Sequence, residues 1–194
     1  MLSAVLKIPA AVSISQTFLL AQQSNLDKLL NFSFVGNVRF KYNDEFVYAY
    51  HPQQGQIGAP TPWHFFISPK SKIPGGTFVT DADSAFGLSV GFYTGGVKGY
   101  WVRFPPGLSI TLAWQAIPGN PFSFWNEDRQ AQGNPQDDEM FYFEVVDYAN
   151  STVRIRSRYC KYLHLDGTRP TGGASFNTGA DAAQAAVFTV VFLP

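Results

Sequence analysis

The sequence predicts an all-β domain behind a short helical arm, and two observations carry that prediction. From residue 33 onward, clusters of turn formers (HPQQGQIGAP, KIPGG, TGGVKG, FPPG, IPGNP, QGNPQ and DGTRPTGG) separate short runs of alternating large and polar side chains, the pattern of strands joined by turns. Aromatic residues make up 16% of the chain, with 18 Phe, while charged residues are only 14% against about 25% in an average domain. Aromatic side chains favour the pleated, half-buried surface of a sheet. At 194 residues one core can form without help from metal or disulfides.

The arm covers residues 1–32. Its apolar middle is interrupted by Pro9, Ser13, Ser15 and Gln16, which makes it a poor signal peptide and too broken to span a bilayer. A cytoplasmic protein, or one released without a signal peptide, is expected. Ser24 stands where a helix N-cap would, and Leu26, Leu29 and Leu30 follow at helical spacing, so a short amphipathic helix is predicted around 25–32. Such a helix serves as a lid on the barrel, as a contact between subunits in a homo-oligomer, or as a membrane-contacting segment, though it lacks the Lys/Arg-rich face that strengthens interfacial binding.

Within 33–194 three stretches share one form: VRFKYNDEFVYAYH from Val38, VGFYTGGVKGYWVRF from Val90 and VRIRSRYCKYLHLD from Val153. Each has Val, one residue, a large apolar residue, a break, then an aromatic-rich run. Each is followed by a closing run, WHFFIS, MFYFEVV or VFTVVF. Three units of four strands follow, about 34–72, 73–147 and 148–194, with SITLAW or PFSFW and then GASFNT as third strands of the later two.

Three such units resemble the β-trefoil, most sharply in residues 150–192. There TVRIRSRYCKYLHLDG, GASFNT and AAVFTVV look like the fascin-like and lectin-type trefoil repeat, with its Lys-Tyr-Leu strand and closing Phe-Thr-Val strand. The first two units lack the Lys-Tyr-Leu element, and the Gln-x-Trp signature of ricin-type lectins is absent. SKIPGG, AFGLSVGFYTGG and PFSFWNED resemble, more weakly, the actinoporin-like cytolysins, in which an aromatic cluster touches lipid and a terminal helix inserts.

Lys+Arg and Asp+Glu are balanced at 14 each, so the long-range attraction that nucleic acid binders need is not built in, and near-zero net charge favours self-association. His51, His64 and His164 are too dispersed for a local metal motif, and no HExxH, GxSxG or phosphate-loop pattern occurs. Cys160, beside Arg158 and Lys161, reads as a small buried thiol, and Asp137, Asp138 and Glu139 as a solvated loop. No enzyme activity, metal or cofactor is expected.

A non-catalytic recognition protein is the resulting expectation, with glycans or glycoconjugates as partners and no nucleic acid. Sugar recognition pairs an aromatic face with fixed hydrogen-bonding side chains. Two places offer this: Tyr162, His164 and Asp166, alternating along one predicted strand, and Trp125, Asn126 and Asp128 between turn-rich segments. The alternatives to a carbohydrate-binding lectin are a membrane-active, pore-forming or insecticidal-type toxin acting through the arm, and a self-assembling structural protein.

Overall fold

Aromatic and β-branched residues at every second position give strands with one face inside and one outside. In the computed structural model these strands close into a barrel. The structure describes residues 14–50, 66–75, 81–92, 96–103, 112–115, 123–126, 139–166 and 175–194. The elements are helix α1 (Ile14–Leu30) and strands β1 (Gly36–Tyr42), β2 (Glu45–Tyr50), β3 (Phe66–Pro69), β4 (Ala85–Phe92), β5 (Lys98–Arg103), β6 (Leu112–Gln115), β7 (Ser123–Asn126), β8 (Met140–Asp147), β9 (Thr152–Ser157), β10 (Tyr162–Asp166), β11 (Ser175–Ala180) and β12 (Val187–Phe192). Among the described residues, short 3-10 turns at Lys70–Lys72, Asp81–Ser84 and Ala182–Gln184 lie between strands.

Six strands close on themselves, all pairs antiparallel: β1 with β4, β4 with β5, β5 with β8, β8 with β9, β9 with β12, and β12 back to β1. Closure removes the exposed edges of an open sheet. The other strands form hairpins β2–β3, β6–β7 and β10–β11, which extend β1, β5 and β9 beyond one end of the barrel. Helix α1 lies at the opposite end.

The barrel is filled with rings. Phe40 sits between Phe86, Phe143 and Phe188 at centroid distances of 5.5, 6.0 and 6.0 Å, with Val38, Val102, Val153 and Ile155 fully buried around them. Burying one such side chain stabilises by about 1.5–3 kcal/mol, and most of the aromatic residues among the described ones lie in the core.

The three stretches beginning at Val38, Val90 and Val153 are not equivalent. Those from Val38 and Val153 each run from a barrel strand into a projecting hairpin, β1 to β2 and β9 to β10, whereas the stretch from Val90 spans the β4–β5 hairpin, in which both strands belong to the barrel. The closing run predicted at 63–68 falls on β3, which pairs with β2 rather than with the barrel. The β-trefoil reading matches strands that do different jobs and is corrected: an aromatic-rich strand before a Gly turn looks the same in sequence wherever the turn leads. The architecture is all-β, with one α-helix among the described residues and a closed six-stranded barrel carrying extra strands.

The helix is longer than predicted. It starts at Ile14, so Ser24 lies within it and is not its N-cap; Ser, Gln and Thr interrupt apolarity but cost a helix only tenths of a kcal/mol. Leu26 and Leu29 are buried as the spacing predicts. The helix ends with Phe32 at φ 51°, a left-handed cap in which Ser33 N–H donates to Lys28 O at 2.8 Å. Phe32 replaces the usual Gly because its ring stacks on Tyr100 at 5.5 Å.

Tyr100, fully buried, donates to Lys28 O at 3.2 Å and accepts from Phe34 N–H at 3.2 Å. Gln22 pairs with Phe192 as a strand would: its amide donates to Phe192 O at 3.1 Å and accepts from Phe192 N–H at 3.0 Å. Tyr148 OH donates to Asp27 at 2.8 Å. From Gln16 to Ala21 every residue is exposed. No described helix is long and apolar enough to cross a membrane.

Exposed apolar residues gather at this end. Among the described residues, Phe18, Leu19 and Leu20 on the helix, Val35 before β1, Phe92 and Val97 at the β4–β5 turn, and Val146 and Tyr148 beside the β8–β9 turn are between 41% and 70% exposed. Among the described residues, Tyr159 and Val187 are the large exposed apolar side chains toward the hairpin end.

Candidate functional site

At the hairpin end an open pocket of about 360 Å³ lies between the β1–β2 turn, strand β10 and the segment leading into β12. Tyr42, Asn43, His164, Leu165 and Gln184–Val187 line it. The Asn43-Asp44 pair makes the first wall because both residues take positive φ, 48° and 65°. Two such residues form the hairpin turn whose twist matches the strands, and Asn and Asp bear that conformation best after Gly. Tyr42 is fixed against Phe176 at 5.3 Å, edge-on, and Phe188 at 6.0 Å.

The opposite wall is tied to the third hairpin. Ala186 N–H donates to Leu163 O at 2.7 Å and Arg154 donates to Ala182 O at 3.0 Å. Lys161 pairs with Asp181 at 2.7 Å on the surface, and this hydrogen bond holds the Asp181 carboxyl below its usual range.

His164 is the distinctive group. Its Nδ1 is buried with no hydrogen-bond partner, as is Oδ1 of Asn177, the residue directly across the β10–β11 ladder. Gly179 lies beside the ring: a Cβ there would be 3.4 Å from His164 Cε1, an ordinary contact. A buried polar atom left unpaired costs about 1–3 kcal/mol. Two on facing strands beside a pocket therefore mark a place where the fold forgoes stability.

Of the residues predicted to bind, Tyr162, His164 and Asp166 do alternate along β10, and only His164 lines the pocket. Tyr162 is taken up sideways: its OH donates to Glu144 at 2.7 Å, the other Glu144 oxygen holds Arg156 Nε at 2.9 Å, and the Arg154 guanidinium sits 5.8 Å from the ring. The Glu144 carboxylate raises the Tyr162 pKa. Asp166 also has an interaction of its own. Trp125 and Asn126 lie on β7, opposite Ala113 and Leu112 in the second hairpin, and so on a different hairpin from β10. Asp128 lies outside the described residues, as do His51, His64, Asp137 and Asp138.

Two further expectations are corrected. Cys160 is exposed rather than buried, because it occupies the β9–β10 turn at φ 58°, where Arg156 reaches its Sγ at 3.4 Å. Glu139, read as part of a solvated loop, is buried at the start of β8. Among the described residues no cluster of His, Cys, Asp and Glu could hold a metal ion.

Sequence reasoning missed Tyr42, Asn43 and Gln184. The Asn-Asp pair between two aromatic runs was the legible signal for the first two; Gln184 carries none.

No family model and no curated protein matches the chain. Solved structures do. A water-soluble chlorophyll protein from Brassica oleracea var. Botrytis with chlorophyll-b is 9% identical, with a TM-score of 0.51 over 82% of this chain and 91% of that one. A structure titled type II water soluble Chl binding proteins gives the same figures. A Caenorhabditis elegans protein of unknown function is 11% identical, with a TM-score of 0.50 over 81% and 94%. At such identities the likeness is one of fold alone. The first two are named for chlorophyll binding, and none is named as a lectin, a fascin or a cytolysin. The fascin-like and lectin-type trefoil resemblance and the weaker actinoporin one are corrected accordingly.

Proposed function

We propose that the chain is a non-catalytic recognition protein that binds a small hydroxylated ring, a mono- or disaccharide, in the pocket at the hairpin end. The observation that carries this reading is the open pocket itself, whose wall brings Asn43, His164 and Gln184 together beside Tyr42. Asn43 and Gln184 offer further donors and acceptors, and the half-buried Tyr42 offers apolar ring surface. At about 360 Å³ the volume sits at the small end of ligand pockets.

The structural neighbours' titles name chlorophyll, so a pigment is the competing ligand. The Asn43, His164 and Gln184 wall favours a sugar over a large apolar macrocycle, whose periphery asks for few hydrogen bonds.

A glycan array probed with the full chain, beside His164→Ala and Gln184→Ala variants and a chlorophyll titration of the same samples, tests the reading. Sugar binding weakened at least tenfold in both variants, about 1.4 kcal/mol, is the expected result. A blank array with folded protein, or chlorophyll binding that neither variant changes, would remove it.

A further inference from the structure

Charge is segregated on the outside of the barrel next to the pocket. Strand β12 lies between β1 and β9, with Arg39 opposite Val191, Lys41 opposite Thr189 and Arg154 opposite Val187. Side chains alternate along a strand. Val38, Phe40, Val153, Ile155, Phe188 and Val190 fill the core, so Arg39, Lys41, Arg154 and Arg156 point outward and stay partly exposed. No carboxylate stands at an outward position of these three strands. On neighbouring β8, Glu144 is engaged by Arg156 at 2.9 Å and by Tyr162 at 2.7 Å, and Asp147 by Ala149 N–H and Asn150. Among the described residues Arg39 and Lys41 meet no carboxylate; both lie over the Phe46 ring, at 5.3 and 4.9 Å. Arg154 has only neutral partners, Ala182 O and the Tyr162 ring. Cations crowded in this way repel one another, and the surplus is local, because the whole chain has 14 residues of each sign.

We propose that this face is an anion-binding track continuing the pocket, and that the saccharide the protein takes is an acidic one, carrying sulfate or carboxylate groups; the second half of the proposal rests on the saccharide reading of the pocket. Continuity supports it. Val187 lines the pocket and is also the first outward residue of β12, whose Val187, Thr189 and Val191 form a floor about 13 Å long. Arg39 and Lys41 stand along one side of that floor and Arg154 and Arg156 along the other, two strand spacings or about 10 Å apart. A chain with several acidic groups can meet both sides at once, and guanidinium groups suit sulfate and carboxylate because their fork of donors matches two oxygens. Nucleic acid fits less well. Its bases need free aromatic faces to stack on, whereas Phe46, Tyr142 and Tyr162 already lie under Arg39 and Lys41, Arg156 and Arg154, and the floor is aliphatic.

The test is fluorescence anisotropy of the full chain with labelled dextran oligosaccharides of one length in three forms, unmodified, sulfated and carboxymethylated, beside an oligothymidylate. Arg39→Gln with Lys41→Gln, and Arg154→Gln, are compared with the wild type, each checked for native circular dichroism. Lys41→Gln alone, at a side chain with no hydrogen bond to lose, replaces the double variant should that one unfold. One or both acidic dextrans bind the wild type at least tenfold tighter than the unmodified one, and raised salt and each variant reduce that preference severalfold or more; the two acidic forms tell which group is preferred. Acidic dextrans that bind no tighter than the neutral one, or a preference that no variant changes, overturn the proposal. Oligothymidylate bound as tightly as the better acidic dextran, and weakened by the same variants, also overturns it and gives the face to nucleic acid. Gln184→Ala separates the track from the pocket. If it leaves the acidic dextrans bound as before while the basic variants release them, the track stands and the saccharide reading of the pocket falls; if it weakens a neutral dextran that binds as well as the acidic ones, the pocket stands and the track falls.

Discussion

The two ends of the barrel are closed by opposite chemistry. At the helix end the backbone groups that α1 and its cap bring are met: Lys28 O by Ser33 N–H and Tyr100, Phe34 N–H by Tyr100, and Phe192 by both sides of the Gln22 amide. Large apolar side chains such as Phe18, Leu20 and Val35 are exposed there beside polar and charged ones such as Asp27, Lys28 and Lys98. At the hairpin end the reverse holds. Ser68, Ser157, Thr178, Asn177 and His164 each bury a polar side-chain atom without a partner, and none of the described groups in this condition lies on the helix or on the β4–β5 and β8–β9 turns. Polar atoms left unpaired at the hairpin end suit a polar ligand. One barrel thus has two ends of different make-up, and substitutions should separate them.

The largest effect belongs to the seam between helix and barrel. Leu26→Ala, at a fully buried position, should lower stability by about 2–5 kcal/mol, read as a fall in urea midpoint. If it costs under about 1 kcal/mol, the helix is not docked as described.

Tyr100→Phe comes next. It keeps the ring stack with Phe32 and removes the hydroxyl shared by Lys28 O and Phe34 N–H, for an expected loss of about 1–3 kcal/mol. It also has a pH signature. Burial raises the Tyr100 pKa from 10.0 to about 12. The folded state therefore keeps a proton that the unfolded state gives up, so stability is intact below pH 10 and falls as pH rises toward about 12. Tyr100→Phe should remove that alkaline slope; an unchanged slope in the variant would mean another group causes it.

His164→Ala should change stability by no more than about 1 kcal/mol, since it removes an unpaired atom with the ring, yet abolish ligand binding. A large loss of stability with binding retained would make His164 a packing residue.

The smallest effect is expected at Glu45. Its carboxylate accepts from Ser71 N–H at 3.0 Å, which lowers its pKa below 4.5. This contact adds stability above the unfolded-state pKa and is lost as pH falls through the lower folded value. Glu45→Gln should flatten the acid limb slightly and leave neutral pH unchanged within about 0.5 kcal/mol.

How much of this the sequence discloses differs between the two ends. All-β character, the β9 to β12 strands and the burial of Leu26 and Leu29 are legible, because each rests on local periodicity. Which strands close the barrel is not, because Val90 and Val153 open similar local patterns and differ only in distant pairing partners. His164 is legible as a polar group alternating with Leu163 and Leu165. Its pocket is not, because Asn43 and Gln184 come from segments far apart in the chain and meet only when β1 pairs with β12. Phe18, Leu19 and Leu20 lie in the arm's apolar middle, ahead of the helix predicted at 25–32, and nothing local in the sequence says that they face outward.

The central claim, that the hairpin end is the ligand end, has one direct measurement. Amide NMR spectra of the labelled full chain would be recorded while free galactose, mannose and N-acetylglucosamine are added in turn. The account predicts shifts concentrated at Tyr42, Asn43, His164, Leu165 and Gln184, with the amides of α1 and of Phe92 unmoved. Shifts concentrated on the helix end, or none with any of the sugars, would contradict it.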